Sequence, residues 1–313
     1  MKPPLFTVCT PTFNRAALLQ RAYESLAQQT LQDFEWLVVD DGSTDNTSDV
    51  VRELSNQGRV RMRYFAKPNG GKHTALNLAV REAKGDLFTV IDSDDWFTLR
   101  ALERMKHHWE QVPVAERPRL KGVCGLFAYQ DGKTVGDRFP SDIMQADDLD
   151  LLLRYQVEGD KIGFTRTEVM REFPFPEELK NQIKHSMIYV TESLVWHRIG
   201  RKYPTRFVNE VFAIKEYQHG GITDRGRTIH VENSKATLTY IHEILNCGRK
   251  IPVKLAIKNY ANYIRYSLHE KLGLREQMMK VPAKHWFVTC LPIGLLLRNR
   301  DCRLLKRHES SRH

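Results

Sequence analysis

The chain has 313 residues, of which 41% are hydrophobic and 27% charged, and its formal net charge at pH 7 is +10. This composition is typical of a globular protein, and the length allows one large domain with an appendage or two domains. No apolar run reaches the ~18 residues of a membrane-spanning helix, which argues against a conventional transmembrane segment.

The basic excess is confined to the last quarter of the chain. From Val231 onward there are 16 Lys and Arg against 6 Asp and Glu, whereas residues 1–230 carry 32 of each sign. A neutral body with a basic tail predicts a localised contact with an anionic partner rather than a general affinity for nucleic acid. The apolar run near the N-terminus is too short for a signal peptide, and five scattered cysteines fit reduced thiols, so a cytoplasmic location is predicted.

Strands and helices are predicted to alternate along the first hundred residues. The predicted strands are LFTVCTP (5–11), EWLVVDD (35–41), VRMRYFA (60–66) and DLFTVI (86–91). The predicted helices are 14–30, with Asn14 as its N-cap, 43–57 and 71–85. This order predicts an α/β fold with a parallel sheet and right-handed crossovers. Ligands of such sheets bind beyond the carboxyl ends of the strands, where both acidic clusters, 40–41 and 92–95, are expected.

The segment TVIDSDDW (89–96) crowds three carboxylates into four positions. Mg²⁺ and Mn²⁺ prefer oxygen ligands, and one such ion bridging the carboxylates to a diphosphate would remove their mutual repulsion. Asp92 and Asp94 are expected on the same side because side chains alternate where a strand runs out. An aspartate-rich turn or a helix N-cap explains the segment equally well from the residues alone.

Five motifs, in order over about the first 230 residues, resemble the family 2 glycosyltransferases of the GT-A fold. They are VCTPTFNR, VVDDGSTD, NGGKHTALNLAVREAKGD, VIDSDDW and TESLVWHR. The resemblance implies a GT-A domain over residues 1–230, with a Rossmann-like, mixed, mainly parallel sheet, and a Mn²⁺ or Mg²⁺ cofactor. It implies that the metal is held by Asp94 and Asp95. It also implies a set of donor-binding residues: Pro11, Phe13, Asp40, Asp41, Lys72, Asp92 and Asp94.

Two of these assignments depart from the pattern of the family. Many members carry an arginine directly before the asparagine of the third motif, whereas Leu76 precedes Asn77 here. Lys72 is therefore assigned as a phosphate counter-charge, with a solvated lysine at a helix start as the alternative. The carboxylate that serves as general base falls on Glu192, four residues before Trp196, where most members have aspartate. An exposed glutamate at the start of a helix is the alternative.

His219, in a predicted Gly-rich loop over 219–226, is either a ligand of metal or phosphate or an ordinary loop histidine.

Residues 231–313 are predicted to form a basic helical extension. Its segment KHWFVTCLPIGLLLRNRDCRLLKRH (284–308) has an apolar centre between basic ends, which fits an element lying in a membrane interface. A helix packed on the catalytic domain is the alternative. Three tyrosines at helical spacing, Tyr260, Tyr263 and Tyr266, favour core packing over base stacking.

The predicted function is inverting transfer of a sugar from a UDP-sugar donor to a hydroxyl of a lipid-linked glycan acceptor during surface-polysaccharide assembly. The protein would act on the inner face of the cell membrane, bound through its extension to anionic lipid, without nucleic acid. Two alternatives stay open: a sugar-nucleotide nucleotidyltransferase, and a non-catalytic protein that binds membrane or RNA. The first would be expected to carry a Gly-x-Gly-x-Arg loop after its first strand, which is absent from this sequence.

Overall fold

A computed structural model of the chain describes residues 2–182, 187–217 and 222–310, and the side chains of all these except 222–225, 227 and 306–310. The strands are β1 (Phe6–Thr12), β2 (Phe34–Asp40), β3 (Met62–Ala66), β4 (Leu87–Val90), β5 (Trp96–Phe97), β6 (Gly122–Ala128), β7 (Ile143–Ala146), β8 (Lys161–Arg166) and β9 (Thr205–Ile214). The helices are α1 (Ala16–Ala27), α2 (Thr47–Asn56), α3 (Lys72–Glu82), α4 (Ala101–Glu110), α5 (Asp148–Leu153), α6 (Thr167–Glu172), α7 (Ser193–Gly200), α8 (Ile222–Glu232), α9 (Ser234–Leu245), α10 (Val253–His269), α11 (Leu274–Met279) and α12 (Lys284–Ser310).

One mixed sheet contains these strands, in the order β3-β2-β1-β4-β8-β6-β9-β5, with β7 also paired to β9. The first four strands are parallel, β8 is antiparallel to both of its neighbours, and β6 and β9 are parallel to each other. Thr12 lies opposite Asp40 and Cys9 opposite Val90, so β1, β2 and β4 end at the same edge. The predicted α/β fold with a mixed, mainly parallel central sheet is confirmed.

Helices cover both faces of the sheet, which explains why β1 and β2 are buried along their whole length. All seven residues of each strand are buried. Alternate side chains enter two different cores, because successive residues of a strand point to opposite faces. Trp36 packs with α1, α2 and α4 on one face, and Leu37 packs with α3, α6 and α7 on the other. The sheet is thereby fixed from both sides, and the loops at its carboxyl edge start from rigid strands.

The predicted N-cap of the first helix is wrong. Arg15 occupies that position, and Asn14 adopts a left-handed conformation with φ +53°. Its side-chain oxygen accepts a hydrogen bond of 2.7 Å from the backbone N–H of Thr44 instead. Asn14 therefore joins the loop after β1 to the loop after β2.

The chain divides into two compact units, Met1–Pro176 with Val195–Gln218 and Glu177–Leu194 with His219–His313. The first unit holds the sheet. The domain boundary predicted between residues 230 and 231 stays a prediction.

The second unit is helical. Its core joins α9, α10 and α12 and includes the three tyrosines predicted to be core residues, which are buried. A buried ion pair between Arg265 of α10 and Asp301 of α12 also holds these two helices together. The predicted Gly-rich loop is wrong from residue 222 onward, where α8 begins. Among the described helices, none has both the length and the apolar character that crossing a bilayer requires.

Candidate functional site

The loops that follow β1 and β2 are fastened to each other at the carboxyl edge of the sheet. The N–H of Asp41 donates to the carbonyl of Thr12 at 2.9 Å, and the N–H of Asn14 donates to the hydroxyl of Ser43 at 2.8 Å. Pro11 is buried in β1, whereas 41% of the Phe13 side chain is exposed. An aromatic ring is therefore presented to solvent at the edge where ligands of such sheets bind.

Asp40 is buried and fully engaged within the fold. Its two carboxylate oxygens accept hydrogen bonds from the N–H of Ser43 at 2.8 Å and from the hydroxyl of Tyr64 at 2.7 Å. Burial, together with the hydrogen bond and charge of Asp40, raises the pKa of Tyr64 well above its usual value. Asp40 thus shapes the turn after β2 and links it to β3.

Asp41 fastens the loop that leads into α3. Its carboxylate accepts hydrogen bonds from Lys67 Nζ at 2.5 Å and from the N–H groups of Gly70 and Gly71 at 2.9 and 2.7 Å. Gly42 next to it has φ +87°, and a Cβ atom there would lie 2.8 Å from a backbone nitrogen of the same loop. The two loops are consequently in close backbone contact, and this contact fixes the start of α3, where Lys72 is the first residue.

The acidic segment, residues 92–95, is a turn rather than the end of a strand. β4 ends at Val90, and the N–H of Asp95 donates to the carbonyl of Asp92 at 3.0 Å. This turn, and not the alternation of side chains along a strand, gathers the three carboxylates, so that part of the sequence interpretation is wrong. One carboxylate oxygen from each of Asp92, Asp94 and Asp95 lies within 4.8 Å of the other two.

Three positive side chains, two from α1 and its N-cap and one from the start of α3, lie against this segment. Lys72 Nζ lies 2.6 Å from Asp92, and Arg15 Nη1 lies 2.8 Å from Asp94. Arg21 of α1 donates to the carbonyl of Asp94 at 2.8 Å. Sequence reasoning identified Lys72 but missed both arginines, because no local pattern connects residues that are 79 and 73 positions apart in the chain.

The electrostatic balance differs among the three carboxylates. Burial disfavours the charged form of Asp92, but Lys72, with help from Lys215 and Arg15, outweighs it and lowers the pKa of Asp92. Burial and the charges of Asp92 and Asp94 raise the pKa of Asp95 to about 7, against a smaller opposing effect of Lys215. Asp95 is therefore the carboxylate of the three whose charged form its surroundings stabilise least. Three carboxylate oxygens this close together suit a hard divalent cation, whose charge would relieve their mutual repulsion.

The remaining predicted residues have different outcomes. Glu192 lies half-buried directly before α7, in the second unit, and its role as base stays a prediction. His219 lies outside the described residues. Lys72 and the three aspartates of the acidic segment are brought together in the first unit, whereas Pro11 lies in β1 and Phe13 in the loop that follows it. Their roles in binding a donor also stay predictions.

Comparison with known proteins identifies relatives for most of the first unit. Residues 7–172 match the sequence profile described as "Glycosyl transferase family 2". Chondroitin synthase of Pasteurella multocida is 43% identical over 101 residues, which are 32% of this chain and 10% of that protein. TarS of Staphylococcus aureus, a poly(ribitol-phosphate) β-N-acetylglucosaminyltransferase, is 28% identical over 183 residues, or 56% of this chain and 30% of that protein. The chain thus spans less than a third of the length of either relative.

Two solved structures share the fold. A crystal structure of TarS residues 1–349 in complex with UDP-GlcNAc superimposes with a TM-score of 0.56 at 17% identity, covering 94% of this chain and 90% of that one. A mannosyltransferase from Pyrobaculum calidifontis, in complex with GDP-Man and Mn²⁺, superimposes with a TM-score of 0.56 at 17% identity, covering 97% and 81%. Both are GT-A transferases, so the predicted GT-A fold is confirmed.

Proposed function

The chain belongs to glycosyl transferase family 2, and from this premise we propose that it transfers a sugar from a UDP-sugar donor to a hydroxyl of a glycan acceptor. The observation that carries the proposal is the acidic segment, whose three carboxylates are gathered at the carboxyl edge of the parallel strands. UDP is favoured as the nucleotide because TarS, which shares the fold, was crystallised with UDP-GlcNAc.

The nucleoside would bind against the joined loops after β1 and β2. Phe13 offers an exposed ring face for a base, and the buried Pro11 supports the strand behind it. The buried carboxylates of Asp40 and Asp41 would act here by holding these loops in place.

A Mn²⁺ or Mg²⁺ ion would be held by Asp94 and Asp95, with Asp92 nearer the donor ribose. The close approach of the three carboxylates supports this assignment, because a cation would relieve the repulsion that, together with burial, raises the pKa of Asp95. Such an ion stabilises the negative charge of a departing nucleoside diphosphate. Lys72, at the first residue of α3, would add a positive charge toward the diphosphate, helped by the partial positive charge of the helix N-terminus.

Transfer would proceed as a single inverting displacement. The acceptor oxygen forms a bond to the anomeric carbon as the bond from that carbon to the phosphate oxygen breaks. Glu192 would take the proton of the acceptor hydroxyl, which a carboxylate can do once it lies within hydrogen-bonding distance of that proton. The electron pair of the broken bond leaves with the UDP.

A panel of nucleotide sugars, tested for binding and slow hydrolysis with and without Mn²⁺, tests the donor assignment. We expect Mn²⁺-dependent turnover of a UDP-sugar that Asp94→Asn reduces by at least about a hundredfold, because a ligand of the ion is lost. Asp131→Asn removes a charge of the same kind from a surface ion pair with Lys133 and serves as the control. Metal-independent binding of every donor, unaffected by Asp94→Asn, would contradict the assignment.

The general base is tested separately with Glu192→Gln. This variant should keep the affinity for donor and lose about 10²- to 10⁴-fold in transfer to an acceptor identified in a screen. Glu276→Gln, in a surface ion pair of the same unit, is the matched control. Near-normal transfer by Glu192→Gln would mean that another group removes the proton.

The second unit would bind the inner face of the cell membrane, close to a lipid-linked acceptor used in surface-polysaccharide assembly. The exposed side of α12 supports this location, because an apolar middle is flanked by basic ends. The apolar residues are Val288, Pro292, Ile293, Leu295 and Leu296, and the exposed basic ones are Lys284, Arg300 and Arg303. Each basic residue near an anionic surface contributes about 1 kcal/mol, so the binding should weaken in high salt.

Co-sedimentation with vesicles of anionic phospholipid tests this surface. Wild-type protein should sediment with anionic vesicles more than with neutral ones, and the double variant Val288→Glu/Leu296→Glu should not. Val114→Glu changes an exposed valine of the first unit and is the control. Equal sedimentation of all three proteins would mean that α12 does not bind the membrane and only packs within the protein.

A further inference from the structure

We propose that Arg15 is a donor-binding residue that pairs with Asp94 in the absence of donor and transfers to the diphosphate when a divalent ion takes that carboxylate. This inference rests on the proposed function, since it requires a metal-bound nucleoside diphosphate at the acidic segment. The inference adds Arg15 to the donor-binding residues already proposed. It gives Arg15 two successive partners, first Asp94 and then the diphosphate.

The position of Arg15 fits this role. It follows β1 and directly precedes α1, at the edge of the sheet where β2 and β4 also end. Its Nη1 atom lies 2.8 Å from Asp94 Oδ2, and 30% of its side chain and 19% of that of Asp94 are exposed. In the proposed exchange each of the two charges keeps a partner of opposite sign, so the pair separates without leaving a buried charge unpaired.

Arg21, the other arginine of this region, is held much more firmly and gives a useful contrast. Its guanidinium donates to the carbonyl of Asp94, lies 2.5 Å from a carboxylate oxygen of Glu216, and stacks 4.1 Å from the ring of Trp96. Contacts on three sides keep Arg21 in place and fix the backbone of the acidic segment. Arg15 is described with a single ion-pair partner, Asp94, so its side chain can move while the segment keeps its shape.

The balance of charges at the site gives the reason for the exchange. An Asp94 oxygen that binds a divalent ion can no longer be the full partner of Arg15. The ion brings two positive charges and the diphosphate brings about two negative ones, so the net charge of the site is unchanged. A guanidinium released from its carboxylate then lies beside new phosphate oxygens, whose geometry matches its fork of donors.

Arg15→Gln should therefore change two affinities in opposite directions. Without donor, the affinity for Mn²⁺ should rise about threefold, because the competitor for Asp94 is gone. With saturating Mn²⁺, the affinity for UDP should fall by at least about tenfold, because a charged hydrogen bond to phosphate is lost. The affinity for uridine, which has no phosphate, should stay unchanged. Arg15→Lys, which keeps the charge but not the fork, should give intermediate values for both.

The experiment is isothermal titration of Mn²⁺, UDP and uridine into wild-type protein, the two Arg15 variants and Arg52→Gln. The control removes an arginine from an exposed pair with Asp49, outside the site. A thermal melt first establishes that each variant is folded.

Each result has a separate meaning. Tighter Mn²⁺ binding with unchanged UDP binding would make Arg15 a static partner of Asp94 and overturn the exchange. Loss of both affinities in a folded variant would assign it a structural role and also overturn the exchange. Wild-type protein that binds neither Mn²⁺ nor UDP would overturn the proposed function itself. Wild-type protein that binds both, with Arg15→Gln unchanged, would overturn only the assignment of Arg15.

Discussion

Replacing Arg265 by Met should destabilise the second unit by about 3–5 kcal/mol, because it leaves a buried carboxylate without its partner. The side chains of Arg265 and Asp301 are only 6% and 4% exposed. Two hydrogen bonds of 2.6 Å join the guanidinium to both carboxylate oxygens, and His269 Nε2 lies 3.0 Å from one of them. Replacing both partners, as Arg265→Met/Asp301→Leu, should recover most of the loss, since no buried charge is then left unpaired.

Hydrogen exchange of the backbone amides of α10 and α12, followed by mass spectrometry, measures this effect within the second unit. Lys280→Met removes an exposed pair with Glu276 and should cost less than about 1 kcal/mol. Burial alone would raise the pKa of Asp301, but the hydrogen bonds of His269 and Arg265 outweigh it and lower that pKa. The stabilisation is therefore present above the unfolded pKa of about 3.9 and is lost as the pH falls through the lower folded value. Equal exchange in wild type and Arg265→Met, at every pH, would refute the reasoning.

Three further predictions concern the first unit. Lys72→Met should weaken UDP binding in Mn²⁺ by about tenfold in a titration, because a positive charge toward the diphosphate is lost; unchanged affinity would limit the role of this lysine to its ion pair with Asp92. Gly42→Ala should lower the free energy of unfolding in urea by about 1–3 kcal/mol, since its φ is +87° and the new Cβ would meet the backbone of the loop before α3; wild-type stability would show that this loop can move away. Glu35→Gln should cost about 1–3 kcal/mol in the same assay, because this fully buried carboxylate accepts from Thr7, the Lys84 N–H and Arg63 at 2.8, 2.7 and 3.1 Å; an unchanged midpoint would mean that the amide satisfies the same donors.

The sequence was sufficient to predict the four parallel strands, because their signals are local. Runs of six or seven residues, separated by amphipathic helices, predict β1 to β4, and the structure has these strands in the predicted order. The failures arise where a side chain has a distant partner. Asn14 looks like an N-cap by its position, but its oxygen bonds to Thr44, 30 residues away, and the helix begins without it.

The same contrast between local signals and distant partners applies to the acidic segment and the positive charges around it. The aspartates could be predicted because they stand together in the sequence shortly after a predicted strand. Arg15 and Arg21 follow β1, more than seventy residues before the segment, and Lys215 follows β9 more than a hundred residues after it. Only the fold places them beside the segment, so a single sequence holds no pattern that could have identified them.

The surrounding positive charges offset the repulsion among the three carboxylates of the acidic segment. Arg15 and Lys72 each pair with one carboxylate, and Arg21 holds the intervening backbone. Among the described residues Asp95 has no ion-pair partner but accepts a hydrogen bond of 3.4 Å from the N–H of Glu216, and burial with its two acidic neighbours raises its pKa to about 7. An arriving cation displaces no positive side chain at Asp95, whereas at Asp92 and Asp94 it must compete with a lysine and an arginine. That competition favours entry of the ion together with a diphosphate, since the anion gives both displaced side chains new partners. Under the proposed function, the segment would therefore take up a metal–diphosphate pair in preference to a free ion.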